Sequence, residues 1–453
     1  MTLEHSHARP AAIPCPSAAV LAIDALSVTA VALLLRLLWL SAVHPVPASD
    51  FAWYRDHALA LAEGQGYTYD GKPTAYFPIG YPLFLAGIYQ LFGSSFWSGT
   101  LANAVLNSLT AGLVTMLGAV LWSRAAGLAA GFLFAGYLSQ IAWSSVLCSE
   151  MLFTFLLTLA ALIGATRAGR DVRQSRAFAL GCVVGLACAV RPVLLLAPAP
   201  WFAYLVVARV GWRRACALAA AMLSGVVLAV APITVRNAID LHAFVMVSTN
   251  GGINLWQGNN PHANGAYFWP LNPHQNPFLS YVSNEVTEDH AAARAARAYI
   301  FSHPLHTLEM GFVKWWHLFA GVSNALYWSI GQSSPPVPRW FARAVHAVDL
   351  GTYLGMLASA CGGIAMAVRS ARMRRDARAF WPLLVLAYYV ALFFIFPAWD
   401  RMRAPIEPLL ALLAGYGAVQ VARGVRRLRQ AHRLAREHRK SGGTSESERG
   451  ALA

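Results

Sequence analysis

Residues 48–92 read ASDFAWYRDHALALAEGQGYTYDGKPTAYFPIGYPLFLAGIYQLF, and the rest of the chain is organised around this stretch. It follows a long apolar run at once. Ser49-Asp50 opens a segment in which Phe51, Tyr54, Ala58, Leu59, Leu61 and Ala62 recur at helical spacing, closed by Gly64 and Gly66. Tyr67, Tyr69, Tyr76, Phe77 and Tyr81 follow, mixed with Pro73, Pro78 and Pro82. The last piece, Pro82–Phe92, is apolar but too short to cross a bilayer. An acidic residue just outside a membrane helix, followed by aromatic, proline-stiffened chain lying on the membrane, suits a reaction on a lipid-borne substrate. Asp50 also has a plainer reading, because Ser and Asp are favoured helix N-caps.

The 453 residues are 57% hydrophobic and only 12% charged, with a mean hydropathy of +0.48. A soluble domain carries roughly twice that charge. The composition therefore predicts an all-α polytopic membrane protein, with 15 Trp and 16 Tyr available for interfacial belts. The net charge of +15 resides mainly on arginines in short links between apolar runs and in the tail. It reads as a topology signal and not as a nucleic-acid site. Lysines are confined to Lys72, Lys314 and Lys440, and this arginine bias points to a GC-rich, bacterial source. Cys15, Cys148, Cys182, Cys188, Cys216 and Cys361 show no CxxC spacing and fall mostly in apolar runs, as small buried hydrophobes do. Val20–Val43 is longer than a signal-peptide core and holds Arg36, so it reads as a retained first helix.

Segments approaching the ~20 apolar residues a bilayer needs lie near Val20–Val43, Ser98–Trp122, Leu128–Cys148, Met151–Thr166 and Ala177–Val190. Others lie near Val193–Ala208, Ala215–Val235, Ala342–Val368, Phe380–Ala398 and Ala404–Ala422, about ten in all. Positive clusters fall at Arg167, Arg170, Arg173 and Arg176; at Arg209, Arg213 and Arg214; at Arg369, Arg372, Arg374, Arg375 and Arg378; and in the tail from Arg423. One alternating topology puts all of them in the cytoplasm. Residues 1–19 are then a cytoplasmic N-terminus, 20–422 the membrane domain, and 423–453 a basic cytoplasmic tail, frayed and touching anionic lipid. Outer loops span 44–97 and 236–341.

Leu305–Ile330 would reverse that topology if it spanned. It reads instead as an interfacial helix with Lys314 on its polar side and Trp315, Trp316 and Trp328 as anchors. Earlier in the same loop, Ser248–Pro261 (STNGGINLWQGNNP) is a turn-forming sequence, and Asp289–Phe301 a short surface helix. A loop this long is usually functional.

With this topology Arg191, Arg236, Arg401 and Arg403 lie on the side the positive-inside bias disfavours. Arg36 lies about two turns from the outer end of the first helix. Singly, Arg36 reads as a snorkelling side chain and Arg401 as a partner of Asp400. Converging on the face that bears Asp50, they form a candidate phosphate site, because Arg offers planar multidentate donors. Glu150, where two helices meet at the outer surface, either pairs with one of these arginines or supports Asp50. Asp24 lies at the inner end of the first helix and reads as structural. The outer histidines show no ligand spacing such as HExxH, and no Walker loop, GxGxxG after a strand or GxSxG occurs.

These residues resemble the GT-C glycosyltransferases, in the branch of the protein O-mannosyltransferases and the lipid A aminoarabinose transferase. The matching elements are LLLRLLWL with Arg36, the loop with Asp50, PTAYFPIGYPLFLAGIY, SEMLFTFLL with Glu150, VRPVLLLAP with Arg191, PITVRN with Arg236, VSTNGGINLWQGNNP and RMRAPIEPLLALLAGYG. Together they cover 33–416. The resemblance implies a GT-C bundle with interfacial helices in both outer loops, and transfer of a sugar from a polyprenyl phosphate. Asp50 would be the catalytic aspartate, with Tyr54 on the same helix, and Glu150 the second acidic position. Tyr76, Tyr81 and Asn250 join Arg36, Arg191, Arg236, Arg401 and Arg403 as candidate substrate-binding residues. The chain departs from the aminoarabinose branch at Phe77-Pro78-Ile79-Gly80, and Phe51 follows Asp50 where the eukaryotic mannosyltransferases have an Asp-Glu pair. Both departures leave the sugar and the acceptor open. The short C-terminus is read as leaving no room for a large soluble outer domain.

The expected partners are a polyprenyl-phosphate-linked sugar, a lipid, glycan or protein acceptor, and the membrane. No cofactor is assigned, and a divalent metal is left open. The expected place is a bacterial inner membrane with the active site facing the periplasm. A transporter or lipid flippase is the rival reading. It would require ionisable residues near the midplane and matching interrupted halves; here the charges crowd one face and no internal repeat is visible.

Overall fold

α1 (Ala18–Ala42) begins at Ser17, whose hydroxyl accepts from the Val20 amide at 3.3 Å. Ala25, Val28, Ala32, Arg36 and Trp39 form its buried stripe at helical spacing, while Ile23, Leu26, Leu34 and Leu38 face outward, toward lipid. The structure is a computed structural model and describes residues 17–165, 172–278, 284–322, 324–374 and 380–449, with side chains described outside 371–374 and 435–449. Cys15, Arg167, Arg170, Arg375 and Arg378 lie outside the described residues, as do the side chains of Arg372 and Arg374.

The chain then turns into α2 (Asp50–Ala62), which ends as expected before Gly64. A two-stranded antiparallel hairpin follows, β1 (Thr68–Tyr69) and β2 (Lys72–Pro73), with Thr68 opposite Pro73 and Tyr69 opposite Lys72. Its turn is Asp70-Gly71, both at positive φ (49° and 73°), the tight-turn chemistry an Asp-Gly pair supplies. α3 (Gly80–Phe92) packs on α2. Gly80 rests so closely on the Ala189 carbonyl that any Cβ would collide with it, which fixes the loop after α1 against the exit of a later helix.

α4 (Phe96–Leu121) is buried along most of its length. α5 (Arg124–Ala135) and α6 (Leu138–Ser144) form a pair bent by 56°. α7 (Ser149–Ala165) and α8 (Gln174–Val190) follow, then a single 3-10 turn (Pro192–Leu194) leading to α9 (Pro198–Val207). α10 (Trp212–Leu241) crosses α8 with Gly181 and Gly225 at the contact, where small residues let backbones approach. The second long segment between membrane helices contains α11 (Gly251–Gly258), α12 (Glu285–Ser302), α13 (Pro304–Ala320) and α14 (Asn324–Ser329). α15 (Arg339–Arg374), α16 (Phe380–Leu392), the short α17 (Asp400–Arg403), a 3-10 turn (Ala404–Ile406) and α18 (Glu407–Arg449) complete the chain.

Among the described residues five helices are long and apolar enough to cross a membrane, or six if the bent pair counts as one span. Ser149–Ala165, Gln174–Val190, Pro192–Val207 and Phe380–Leu392 are apolar but shorter. Each predicted segment falls on one of these helices. The chain is an integral membrane protein.

Four local expectations are corrected. Leu305–Ile330 is not one helix, because the chain breaks at Gly321 between α13 and α14. Leu305, Leu308, Phe312 and Trp316 do form an exposed apolar stripe along α13, as a helix lying on a membrane requires. Lys314, however, is buried, donating to Asn259 Oδ1 (3.1 Å) and the Ile395 carbonyl (2.8 Å). Burial without a carboxylate pushes its ammonium down to about 8. Trp315 also turns inward, donating to the Val390 carbonyl, so of the three tryptophans only Trp316 is exposed. The tail does not fray at 423, since α18 continues as helix to Arg449.

The topology has a direct test. In a background cleared of the exposed Cys216 and Cys361, single cysteines at 70 and 262 are expected to react with an impermeant reagent on intact cells. A cysteine at 373 is expected to react only in inverted vesicles, and its labelling from outside would reverse the assignment.

Candidate active site

Ser49 adopts φ 55° and ψ −135°, an uncommon conformation for a non-glycine residue and a mark of a turn held by its surroundings. It makes no side-chain capping bond. The strained turn starts α2 at Asp50, whose carboxylate is directed to Arg401, with Nη2 donating to Oδ2 at 2.6 Å.

Arg401 also donates from Nε to Glu150 Oε1 at 2.5 Å, and Arg191 Nη1 reaches the same oxygen at 2.5 Å. The four side chains form one linear ion cluster, Asp50–Arg401–Glu150–Arg191, with balanced charge. Different parts of the fold deliver them. Asp50 starts α2, Glu150 lies in the first turn of α7, Arg191 follows the end of α8, and Arg401 belongs to α17. The guanidinium of Arg401 lies 4.6 Å from the ring centre of Phe51 and 5.8 Å from that of Trp143, which keeps water from it.

The cluster has an inside and an outside. The Glu150 side chain is 0% exposed and that of Arg401 9%, whereas Asp50 and Arg191 each keep 17%. Asp50 and Arg191 are therefore the members of the cluster that solvent reaches most. Arg191 also has donor capacity to spare, because its Nη2 meets only the weak acceptor Met402 Sδ at 3.3 Å. Arg401 is spent on two carboxylates. Asp400, its neighbour, takes no part of the guanidinium and binds Asn324 instead (2.8 and 2.9 Å).

Other predicted residues are placed as follows. Tyr54 is buried on α2, edge-on to Phe77 and Tyr81. Its phenol is held above the usual range by burial first and by the charge of Asp50 second, so it stays protonated. Tyr81 is fully buried with its hydroxyl on Asn103, and Tyr76 is half-buried beside Phe77 and Trp53. Arg236 pins the loop between α2 and α3, donating to the carbonyls of Thr74 (2.6 Å) and Tyr67 (2.8 Å) and pairing with Asp240. Asn250 precedes α11 and accepts from Ser248 Oγ at 3.0 Å.

Arg36 and Arg403 are not brought to Asp50. Arg36 is sealed in the bundle, bonded to Asn107 and to the carbonyls of Ala32 and Ala135. Its position on the inward stripe of α1 decides this. Arg403 is turned toward Glu407 (3.1 Å), the Leu318 carbonyl (2.8 Å) and the Tyr353 ring (4.0 Å). Two residues apart on a helix, Arg401 and Arg403 project about 200° apart, so both cannot face one site.

Sequence reasoning missed Trp143, Tyr267 and Asn324. Tyr267 lies in the loop sewn down by Ala398 N donating to Gly265 O (3.0 Å), with its ring edge-on to Trp399 at 5.8 Å. Burial, and after it the Asp50 charge, push its phenol up. No local pattern marks these residues, because each acts through a partner distant in sequence. Among the described residues no group of three or more His, Cys, Asp or Glu side chains converges as a metal site.

Residues 77–236 match a family model described as dolichyl-phosphate-mannose-protein mannosyltransferase. No curated protein matches the chain in sequence. In structure it is similar to the Archaeoglobus fulgidus oligosaccharyltransferase tethered with an acceptor peptide (TM-score 0.51, 13% identity, 88% of this chain and 49% of that one). It is equally similar to AglB from the same archaeon in complex with an inhibitory peptide and a dolichol-phosphate (TM-score 0.51, 12% identity, 91% and 52%). ArnT from Cupriavidus metallidurans bound to undecaprenyl phosphate aligns with a TM-score of 0.42 at 15% identity, over 88% and 78% of the two chains. The chain spans about half the length of the archaeal proteins it matches. The helical membrane fold expected from the resemblance is shared with the archaeal oligosaccharyltransferase. The expected count of about ten spans is not reached among the described residues, where five helices, or six with the bent pair, meet the length and hydropathy of a span.

Proposed function

We propose that this protein is a glycosyltransferase of the GT-C type that moves a sugar from a polyprenyl phosphate to a hydroxyl or similar acceptor. The reaction takes place on the outer face of a bacterial inner membrane, with Asp50 as general base. The observation that carries this reading is the Asp50–Arg401–Glu150–Arg191 cluster, which joins a part-exposed carboxylate and a part-exposed guanidinium through one buried network. The family description and the dolichol-phosphate bound by the archaeal relative support the donor class.

The acceptor oxygen attacks the anomeric carbon while its proton passes to Asp50, a contribution of roughly 10²–10⁴-fold. The bond from that carbon to the phosphate oxygen breaks, and the electron pair leaves with the polyprenyl phosphate. Arg191, with open donors, holds the leaving phosphate, where charge stabilisation matters more than protonation. Arg401 orients Asp50, and Glu150 keeps both guanidinium groups in place. Tyr76 borders the loop side with Tyr54 and Tyr81 buried behind it, and the exposed apolar stripe of α13 offers a surface for the lipid tail.

Purified protein given polyprenyl-phosphate sugars and candidate acceptors is expected to release polyprenyl phosphate in step with sugar transfer. Translocation of intact lipid in vesicles without such release would make it a flippase instead. Arg191→Ala is expected to weaken donor binding about 10- to 100-fold, the effect of losing a charge-assisted hydrogen bond. Arg191→Lys should restore only part, because a point charge replaces a planar fork. Parental donor affinity in Arg191→Ala would remove this residue from the phosphate site.

A further inference from the structure

We propose that Asn324 is a positioning residue that sets the Asp50–Arg401 ion pair, acting on both of its members without touching either. The inference rests on the transferase reading for its kinetic consequences, though its structural core stands apart from it.

Asn324 starts α14, and its backbone N–H and both polar atoms of its side chain are engaged. Its backbone N–H donates to Asp400 Oδ2 at 2.8 Å, and its side-chain Nδ2 donates to Asp400 Oδ1 at 2.9 Å. Its Oδ1 accepts from Trp328 Nε1 at 3.1 Å. From Asp400 the path is short, since Oδ1 also accepts the backbone N–H of Arg401 at 3.1 Å. From Trp328 it leads to the other member of the pair. The Trp328 ring stands edge-on to Phe51, 5.0 Å between centres at 82°, and Phe51 follows Asp50 in α2. The circuit closes because the guanidinium of Arg401 lies 4.6 Å from the Phe51 ring centre.

Asp400, Asn324, Trp328, Phe51 and Arg401 thus form one ring of contacts, and α2 and α17 meet through it. Asparagine suits this place chemically. The amide donates to a carboxylate with one end and accepts from an indole with the other. Aspartate would repel Asp400 and lose the donor, and alanine would lose both bonds. Arg191 lies outside the ring, so donor capture is not its task. What the ring controls is the geometry of the base, and a misplacement of about 1 Å at a reacting group can cost ~100-fold in rate.

Two single variants, their double variant and one structure test this. Asn324→Ala is expected to lower kcat about 100-fold with the KM for the polyprenyl-phosphate sugar unchanged. Trp328→Phe keeps a ring on Phe51 but lacks the N–H, and is expected to show a smaller loss of the same kind. In the double variant the losses should not multiply, because both changes open one circuit. In the structure of Asn324→Ala, determined in lipid nanodiscs, Arg401 Nη2 and Asp50 Oδ2 should stand beyond the ~4 Å reach of an ion pair. An unchanged ion pair in that variant overturns the proposal, as does a kcat at the parental level or losses that multiply in the double variant. A parent enzyme inactive on every polyprenyl-phosphate sugar would sink the transferase reading alone. The ion-pair distance in the variant would still decide the role of Asn324.

Discussion

Asp50→Asn is expected to lower sugar transfer by roughly two to four orders of magnitude while the protein stays folded and still binds donor. Asparagine keeps the shape and an acceptor oxygen but lacks the basicity. It would also keep the cap, if capping were the purpose, since Asn and Asp are near equals there. The geometry speaks against capping, because the carboxylate faces Arg401 and Ser49 makes no capping bond. Asp56→Asn and Glu63→Gln are matched controls on the same helix. Asp56 pairs with the part-exposed Arg55, and Glu63 accepts from the exposed Gln65. Both should transfer sugar near the parental rate. The measurement is transfer in vesicles, with detergent-extracted protein checked for a monodisperse peak. An Asp50→Asn variant with parental turnover would leave the mechanism without its base.

Glu150→Gln is expected to have the largest effect on stability. Two guanidinium groups share Oε1 of a wholly buried carboxylate, each at 2.5 Å. With the charge removed, Asp50 alone is left to balance them. Breaking a buried ion pair by removing one partner costs about 3–5 kcal/mol, because the remaining charge is uncompensated. Thermal unfolding in detergent should show that loss. Added polyprenyl phosphate should restore more stability to this variant than to the parent, since an anion now fills a cationic site. A parental melting temperature would mean that Glu150 is not the counter-charge that holds Arg191 and Arg401.

Hydropathy and charge bias add up along the chain, and what they govern was readable from the sequence alone. The placing of the apolar segments, the Gly-closed end of α2 and the exposed stripe on α13 belong to this class. So does the approach of Asp50, Glu150, Arg191 and Arg401 to one another. Their pairing was decided elsewhere. Arg401 meets Asp50 across 351 residues and Glu150 across 251, and Arg191 meets Glu150 across 41. Which side of a helix an arginine faces depends on rotation about the helix axis, and packing sets that rotation. Arg36 therefore ended on the buried stripe of α1, and Arg403 turned away from the site that Arg401 entered. Lys314 was likewise drawn under α13 by the Asn259 and Ile395 oxygens, whose need for a donor no window of sequence reveals. The tertiary structure alone joined Asn324 to Asp400 and Trp328 to Phe51. A side-chain amide takes its role from the two partners it can bridge, and those partners are fixed only when the helices are packed.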